Sequence, residues 1–257
     1  MISFFKLILI MKIKIEVCAA TVQSALTAQL AGAHRVELCS SLELGGITPS
    51  ASTIEKTREI LDIEVYVLIR PRPGDFLYSS LELDVIKRDI LFCKNVKTIN
   101  GKKIDGVVLG ILQKDGQVDV ERTKELVDLA APMKVTFHRA FDRAVDPFLS
   151  LEQVIETGAS RILTSGQFSD AFKGKLLLKE LVEKAAGRIS IMPGAGVNSQ
   201  NILELLKITR AREFHLSGKG NIKSKMTFKN PNFDFSENDF SETDLKKIMS
   251  AKKMVND

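Results

Sequence analysis

The sequence predicts an α/β protein, a single-domain (β/α)8 TIM barrel, and two observations carry that prediction. Short β-branched runs alternate with amphipathic helical patterns along the chain, which is typical of a parallel sheet. The chain has 257 residues, 44% of them hydrophobic, and about 250 residues is an ordinary size for such a barrel. A doubly wound open sheet is the alternative, but no GxGxxG sequence follows the first strand.

Eight strands are predicted in alternation with the helices. In Val120–Ala130, for example, the apolar side chains of Leu126 and Ala130 share one side of a helix, as the helical period requires. The strands are predicted at Lys12–Cys18, Arg35–Cys39, Glu64–Arg70, Gly106–Gly110, Lys134–His138, Arg161–Thr164, Ser190–Met192 and Glu213–Leu216. The helices are predicted at Val22–Ala31, Ala51–Leu61, Ser80–Val96, Val120–Ala130, Pro147–Thr157, Lys175–Ala186 and Ser199–Ile208.

Segments at both ends of the chain flank the predicted barrel. Residues 1–10 form an apolar extension, too short to span a bilayer, and residues 11–257 form the barrel domain, with Met11 as an alternative start. Lys12 and Lys14 follow the apolar run at once, which is unlike a signal peptide. Residues 221–241 are polar and aperiodic and are predicted as a long loop, and residues 242–255 as a last helix.

Charge and cysteine content exclude several classes of protein. The net charge is +5 and the pI about 9.0, a mild excess of lysine without a basic stripe, so neither nucleic acid nor a membrane is expected as a partner. The three cysteines form no CxxC pair, which disfavours a zinc knuckle and a disulfide framework. We therefore expect a cytoplasmic protein. Homo-oligomerisation is expected only because proteins with this fold commonly associate.

Polar side chains end several of the predicted strands. In this architecture the carboxyl ends of the strands face the active site, so Glu16, Glu37, Arg70 and His138 are predicted to converge as catalytic residues. The acids can accept protons, His138 is expected to titrate near neutral pH, and Arg70 can clamp an anion. The alternative is a charge network that closes the barrel, because paired buried charges need no further role.

The two last loops of the barrel suggest an anion site. Glycines follow the seventh and eighth strands, and barrels often bind phosphate there through backbone N–H groups and a helix start. An enzyme acting on a small anionic or phosphorylated substrate is therefore one candidate function; the alternative is that the glycines only turn the chain. The predicted anion-binding residues are Gly194, Ala195, Gly196, Ser217, Gly218 and Lys219.

Two thiols suggest a different chemistry. Cys18 and Cys39 end the first two strands, which are neighbours in a barrel, and soft thiolates suit Cu(I). Met192 and His138 are candidate helpers. The alternative is that both cysteines are small apolar core residues, and Cys93 is expected to pack within a helix.

The chain from Met11 onward resembles the CutC family of copper-homeostasis proteins. The resemblance implies a TIM-barrel fold, a cytoplasmic location and a part in copper homeostasis, and it puts Cys18 and Cys39 at positions of the family, with copper (Cu+) as the ligand that they would bind. No enzyme reaction is firmly assigned to the family. The motifs that carry it are Glu16–Cys18, Val36–Ser50, Ile69–Phe76, Gly106–Gly110, Thr136–Asp142, Leu163–Gly166, Ile191–Asn198 and His215–Gly218.

The chain departs from the family pattern at three places in the late loops. The family usually has glycine where this chain has Ala195 and Gln167, and arginine where it has Lys219. Alanine tolerates most but not all glycine conformations. These departures bear on the predicted anion site more than on the fold.

Overall fold

The computed structural model describes residues 13–228, 230–232 and 239–256, so the extension Met1–Ile10 and the predicted strand start at Lys12 lie outside the described residues. The barrel strands lie close to the predicted positions. They are β1 (Lys14–Ala19), β2 (Arg35–Leu38), β3 (Glu64–Leu68), β4 (Gly106–Leu109), β5 (Lys134–Phe137), β6 (Arg161–Thr164), β7 (Ser190–Pro193) and β8 (Glu213–Leu216).

These strands form one eight-stranded parallel sheet over the described part of the chain. From β1 to β7 each strand pairs with the next one in sequence, β1 also pairs with β8, and β7 lies against β8. The sheet therefore curls into a nearly closed (β/α)8 barrel, which confirms the predicted fold class. Along β1, Ile15 and Val17 point outward into the apolar core under the helices, and the intervening Glu16 and Cys18 point inward.

A helix follows each barrel strand on the outside of the sheet. Side chains cap the first turn of six of them, through Thr21, Ser50, Ser79, Asp119, Asp146 and Asp244, and each such cap is worth about 1 kcal/mol. Among the described helices, none is both long and apolar enough to cross a lipid bilayer. The helices are α1 (Val22–Leu30), α2 (Ala51–Ile60), α3 (Ser80–Asn95), α4 (Val120–Ala130), α5 (Pro147–Glu156), α6 (Lys175–Ala185), α7 (Ile202–Thr209) and α8 (Leu245–Asn256).

A β-hairpin interrupts the last β/α unit, where the sequence predicts a loop. Strand β9 (Lys219–Ile222) pairs antiparallel with β10 (Phe240–Thr243), so both ends of the predicted loop 221–241 are strand. The last helix begins at Leu245 rather than at 242. The hairpin shows no apolar alternation because its strand β9 is exposed or half-buried throughout, and its strands are joined by main-chain pairing.

Paired charges fill the middle of the barrel interior. We call this set the charged layer: Glu16, Arg35, Glu64, Arg161 and Glu213. Arg35 donates through Nη2 to Glu213 Oε2 at 2.6 Å and through Nε to Glu16, and Arg161 Nε donates to Glu213 Oε2 at 2.7 Å. The side chains of Glu16 and Arg35 each expose 1% of their surface. Such charges are tolerated in an interior because their hydrogen bonds are satisfied.

Candidate functional site

Above the charged layer, a cavity of about 110 Å³ opens at the carboxyl ends of the strands. It brings together both predicted thiols with Glu37, Arg70 and His138. The predicted Glu16 is not among the lining residues and lies below in the charged layer. The lining residues are Cys18, Glu37, Cys39, Leu42, Gly45, Gly46, Leu68, Arg70, Phe76, His138, Arg139, Leu163 and His215.

The two thiols touch on one wall of this cavity. Cys18 Sγ and Cys39 Sγ lie 3.4 Å apart, and both cysteines are free and buried. The hydrogen bond with Cys39 and burial together raise the pKa of the Cys18 thiol well above its usual range. The third cysteine, Cys93, is buried in α3, as predicted, where burial raises its pKa to about 12.

His215 completes this wall from β8. Its side chain can supply one ligand atom within 4.8 Å of ligand atoms of Cys18 and Glu37. Its Nδ1 lies 2.7 Å from Glu16 Oε1 and 3.4 Å from Glu37 Oε2. Burial alone would lower the pKa of His215, but hydrogen bonds to Cys18 and Glu16 and the nearby carboxylates raise it well above its usual value.

The pKa values of the two acids near His215, Glu16 and Glu37, are shifted in opposite directions. Burial raises the pKa of Glu37 to about 7, with the charge of Glu16 adding to the effect and that of His215 opposing it. Burial also favours the neutral form of Glu16, but the Arg35 guanidinium and His215 outweigh it and hold the pKa of Glu16 well below its usual range. Glu16 is therefore a fixed carboxylate, whereas Glu37 can change charge near neutral pH.

Arg70 follows β3 and donates hydrogen bonds to the loops after β2 and β3. Its Nη1 donates to the Gly46 carbonyl oxygen at 2.8 Å, and its Nη2 donates to that of Gly74 at 2.8 Å. Gly45 and Gly46 both adopt positive φ, +84° and +85°, which favours glycine. The Gly46 position is also crowded, since a Cβ there would lie 2.8 Å from the Leu68 side chain. The backbone conformation and this close approach together explain the Gly-Gly pair of the sequence.

His138 lies beside Arg70 and does not titrate near neutral pH, contrary to the sequence prediction. Burial, helped by the charge of Arg70, lowers its pKa to about 3. The Ala140 backbone N–H donates to His138 Nδ1 at 3.2 Å, so the neutral ring carries its proton on Nε2. Gly110 leaves room for the ring, since a Cβ there would lie 2.5 Å from His138 Nδ1.

The predicted anion-binding loops lie outside the lining of this cavity. The Gly194 N–H donates to the Thr164 carbonyl oxygen at 3.0 Å, and the Gly218 carbonyl oxygen accepts from Asp244 N–H at 2.8 Å. Lys219 lies in the exposed strand β9. The backbone N–H groups of Ser165 and Gln167, after β6, both donate to the Asp142 carboxylate. A side chain of the protein itself therefore occupies these backbone donors.

Sequence reasoning missed the role of His215. His215 lies in the predicted strand Glu213–Leu216, but the residues predicted as helpers of the thiols are Met192 and His138. Met192 Sδ instead accepts a hydrogen bond from Arg35 in the charged layer at 3.4 Å. In a closed barrel β8 pairs with β1, and this pairing places His215 beside Glu16. Barrel closure is therefore the signal that could have identified His215 as a residue of this site.

Comparison with known proteins identifies the family. Residues 13–220 match the model of the CutC family. The chain belongs to the CutC family. A CutC family protein of Parabacteroides distasonis is 46% identical over 245 residues, which cover 93% of this chain and 98% of that protein. One of Chromobacterium violaceum is 47% identical over 215 residues, 84% of this chain and 85% of that protein.

Solved structures agree with this membership. A CutC of Streptococcus agalactiae, provisionally described as a copper homeostasis protein, has a TM-score of 0.73 and 34% identity, covering 79% of this chain and 97% of its own. Membership in the CutC family thus supports a role related to copper homeostasis. Phosphoribosylanthranilate isomerase of Thermotoga maritima, with a TM-score of 0.57 and 12% identity over 95% of this chain and 98% of its own, shares the fold alone.

Proposed function

We propose that this CutC family protein binds Cu(I) at the barrel mouth, through the sulfurs of Cys18 and Cys39 and the Nε2 of His215. The observation that carries the proposal is the 3.4 Å contact between two buried thiols in a wall of the cavity. Soft thiolate ligands with an imidazole favour Cu(I) over hard cations such as Mg²⁺. The three free cysteines suit a reducing compartment, so we set this binding in the cytoplasm.

Glu16 supports the proposal from below the ligands. Metal-bound histidines usually donate their second ring N–H to a carboxylate, which fixes the ring and the tautomer. His215 Nδ1 lies 2.7 Å from Glu16 Oε1, and Glu16 is itself anchored by Arg35. This arrangement leaves His215 Nε2 as the nitrogen available to the metal, once the proton of the free protein has been displaced.

An anaerobic competition titration against a Cu(I) chelator tests the proposal on the full chain. Cys18→Ser and Cys39→Ser should each weaken Cu(I) binding by more than about 100-fold, because even outer partners of a metal ligand contribute 10–100-fold. Cys93→Ser is the matched control, since Cys93 is also a buried free thiol but lies in α3. Equal losses in all three variants, or a loss in none, would refute the site.

A further inference from the structure

Glu37 is a buried acid to which the protein supplies no hydrogen bond. It is 5% exposed and lines the cavity. Among the described residues no group donates to its carboxyl oxygens, and the His215 ring at 3.4 Å is its ion-pair neighbour. Neither oxygen is among the fully enclosed side-chain atoms that lack a partner, so the carboxyl group opens on the cavity. Buried carboxylates are usually paired, hydrogen-bonded or bound to a metal ion.

Two other side chains with metal-binding atoms lie around the same point as Glu37. One ligand atom each of Cys18, Glu37 and His215 lies within 4.8 Å of the other two. The three residues come from β1, β2 and β8, which pair side by side, and Cys18 is directly opposite Glu37 in the register of β1 and β2. Bonds of about 2.0–2.3 Å to a zinc ion place neighbouring ligand atoms roughly 3.5 Å apart. Small side-chain rotations therefore bring these three atoms around one ion.

The chemistry of the three ligands selects the ion. A thiolate and an imidazole disfavour Mg²⁺ and Ca²⁺, which prefer ligands that are all oxygen. A carboxylate oxygen is a usual ligand of Zn²⁺, whereas Cu(I) selects soft sulfur ligands. The charges agree with a divalent ion, because the Cys18 thiolate and the Glu37 carboxylate together carry two negative charges and a metal-bound His215 is neutral.

We propose that Cys18, Glu37 and His215 bind a Zn²⁺ ion, with a fourth coordination position open to the cavity. Three protein ligands with one open position are typical of zinc sites that also bind water or a substrate. His215 Nδ1 lies 2.7 Å from Glu16 Oε1, a contact that commonly orients a zinc-bound histidine, so Nε2 is left for the ion. This site shares Cys18 and His215 with the proposed Cu(I) site but uses Glu37 in place of Cys39, and it does not depend on Cu(I) binding.

Titration of the reduced, metal-free full chain with Co²⁺ tests this proposal, because Co²⁺ substitutes for Zn²⁺ and absorbs visible light. The wild-type protein should show a thiolate-to-Co²⁺ charge-transfer band and the strong visible bands of a tetrahedral ion. Zn²⁺ should abolish both, and excess Mg²⁺ should not. Glu37→Gln and Cys18→Ser should each weaken Co²⁺ binding by more than about 100-fold, because even outer partners of a metal ligand contribute 10–100-fold. Glu43→Gln is the matched control, since Glu43 is an exposed acid in the loop after β2.

The same variants separate this site from the proposed Cu(I) site. Cys39→Ser should lose Cu(I) and keep Co²⁺, whereas Glu37→Gln should lose Co²⁺ and keep Cu(I). Three outcomes would overturn the zinc site: the wild type gives no charge-transfer band, Glu37→Gln binds Co²⁺ as the wild type does, or Cys39→Ser loses Co²⁺ as completely as Cys18→Ser. If Glu37→Gln does not fold, the comparison of Cys18→Ser with Cys39→Ser still decides. A failure of Cu(I) binding would leave the expected Co²⁺ results unchanged, so the two proposals fail separately.

Discussion

Arg35, Arg70 and Arg161 are all buried inside the barrel, and they differ in what neutralises them. Arg35 and Arg161 share the carboxylate of Glu213. Arg70 instead donates to main-chain carbonyl oxygens of the loops. Removing a charge partner matters most where the remaining charge stays buried, so the first two arginines stabilise the barrel interior, whereas Arg70 holds the loops after β2 and β3.

The neutral His138 predicts an acid-sensitive stability. Its pKa is lowered to about 3 in the folded protein, whereas the unfolded chain binds a proton near pH 6.5. The contribution of His138 is therefore fully present above pH 6.5 and is lost as the pH falls from there toward 3. We expect His138→Asn to flatten the dependence of the unfolding free energy on pH between 6 and 4 by up to about 1.4 kcal/mol per pH unit. Urea unfolding at a series of pH values measures this, and parallel curves for the two proteins would contradict it.

In the proposed copper site, we expect Glu16 to act on Cu(I) binding through His215. Glu16→Gln keeps the shape of the side chain but removes the charge that orients Nδ1 of His215 at 2.7 Å. We expect Cu(I) affinity to fall by about 10–100-fold, the usual effect of an outer carboxylate, measured by the same chelator competition. Because Glu16 also pairs with Arg35, circular dichroism must show that the variant is folded. Unchanged affinity in a folded variant would exclude a positioning role.

At the scale of elements, two loop residues adopt a backbone conformation that favours glycine. Ala195, after β7, has φ +72° and Gln167, after β6, has φ +58°. The left-handed conformation costs a residue with a side chain about 1–2 kcal/mol. Gln167 recovers this through its amide, which donates to the carbonyl oxygens of Phe141 at 3.1 Å and Ala144 at 2.9 Å.

These loops therefore predict opposite effects of the same substitution. Ala195→Gly should stabilise the protein by up to about 1 kcal/mol, because relief of strain exceeds the extra freedom of the unfolded chain. Gln167→Gly should destabilise it by about 1–2 kcal/mol, since it also removes two hydrogen bonds. Chemical denaturation of both variants measures the difference, and changes of the same sign would contradict the explanation.

At the scale of the whole molecule, the charged layer joins strands that are far apart in sequence. Arg35 of β2 binds Glu16 of β1, Glu64 of β3 and Glu213 of β8. The guanidinium of Arg35 therefore bridges carboxylates from three other strands of the barrel. We expect Arg35→Met to destabilise the protein by about 3–5 kcal/mol, because it leaves buried carboxylates without a partner.

Arg188 provides the matched control for that substitution. It pairs with Glu152 through Nη1 at 2.7 Å, but both side chains are more than two-fifths exposed. An exposed pair contributes about 0–1 kcal/mol, so Arg188→Met should be nearly neutral. Thermal and urea unfolding of both variants decide the matter, and a small effect of Arg35→Met would show that the charged layer can rearrange.

Much of the fold follows from local properties that the sequence displays. Buried parallel strands need β-branched apolar runs, and helices need capping residues such as Ser79 and Asp119, so the number and order of the barrel elements could be predicted. The hairpin at Lys219–Ile222 could not, because its strands lack an apolar face. Its pairing depends on main-chain hydrogen bonds, which leave no pattern in the sequence.

The candidate site divides in the same way. The sequence by itself determined which reactive side chains stand at strand ends, because period-two alternation and the Gly-Gly turn are local: Cys18, Cys39, Glu37, Arg70 and His138. Only the tertiary structure decided their partners. Closure of β8 onto β1 placed Glu16 in the charged layer and His215 beside the thiols, and burial made His138 neutral. Charge state and ligand geometry depend on residues distant in the chain, and these meet only when the barrel closes.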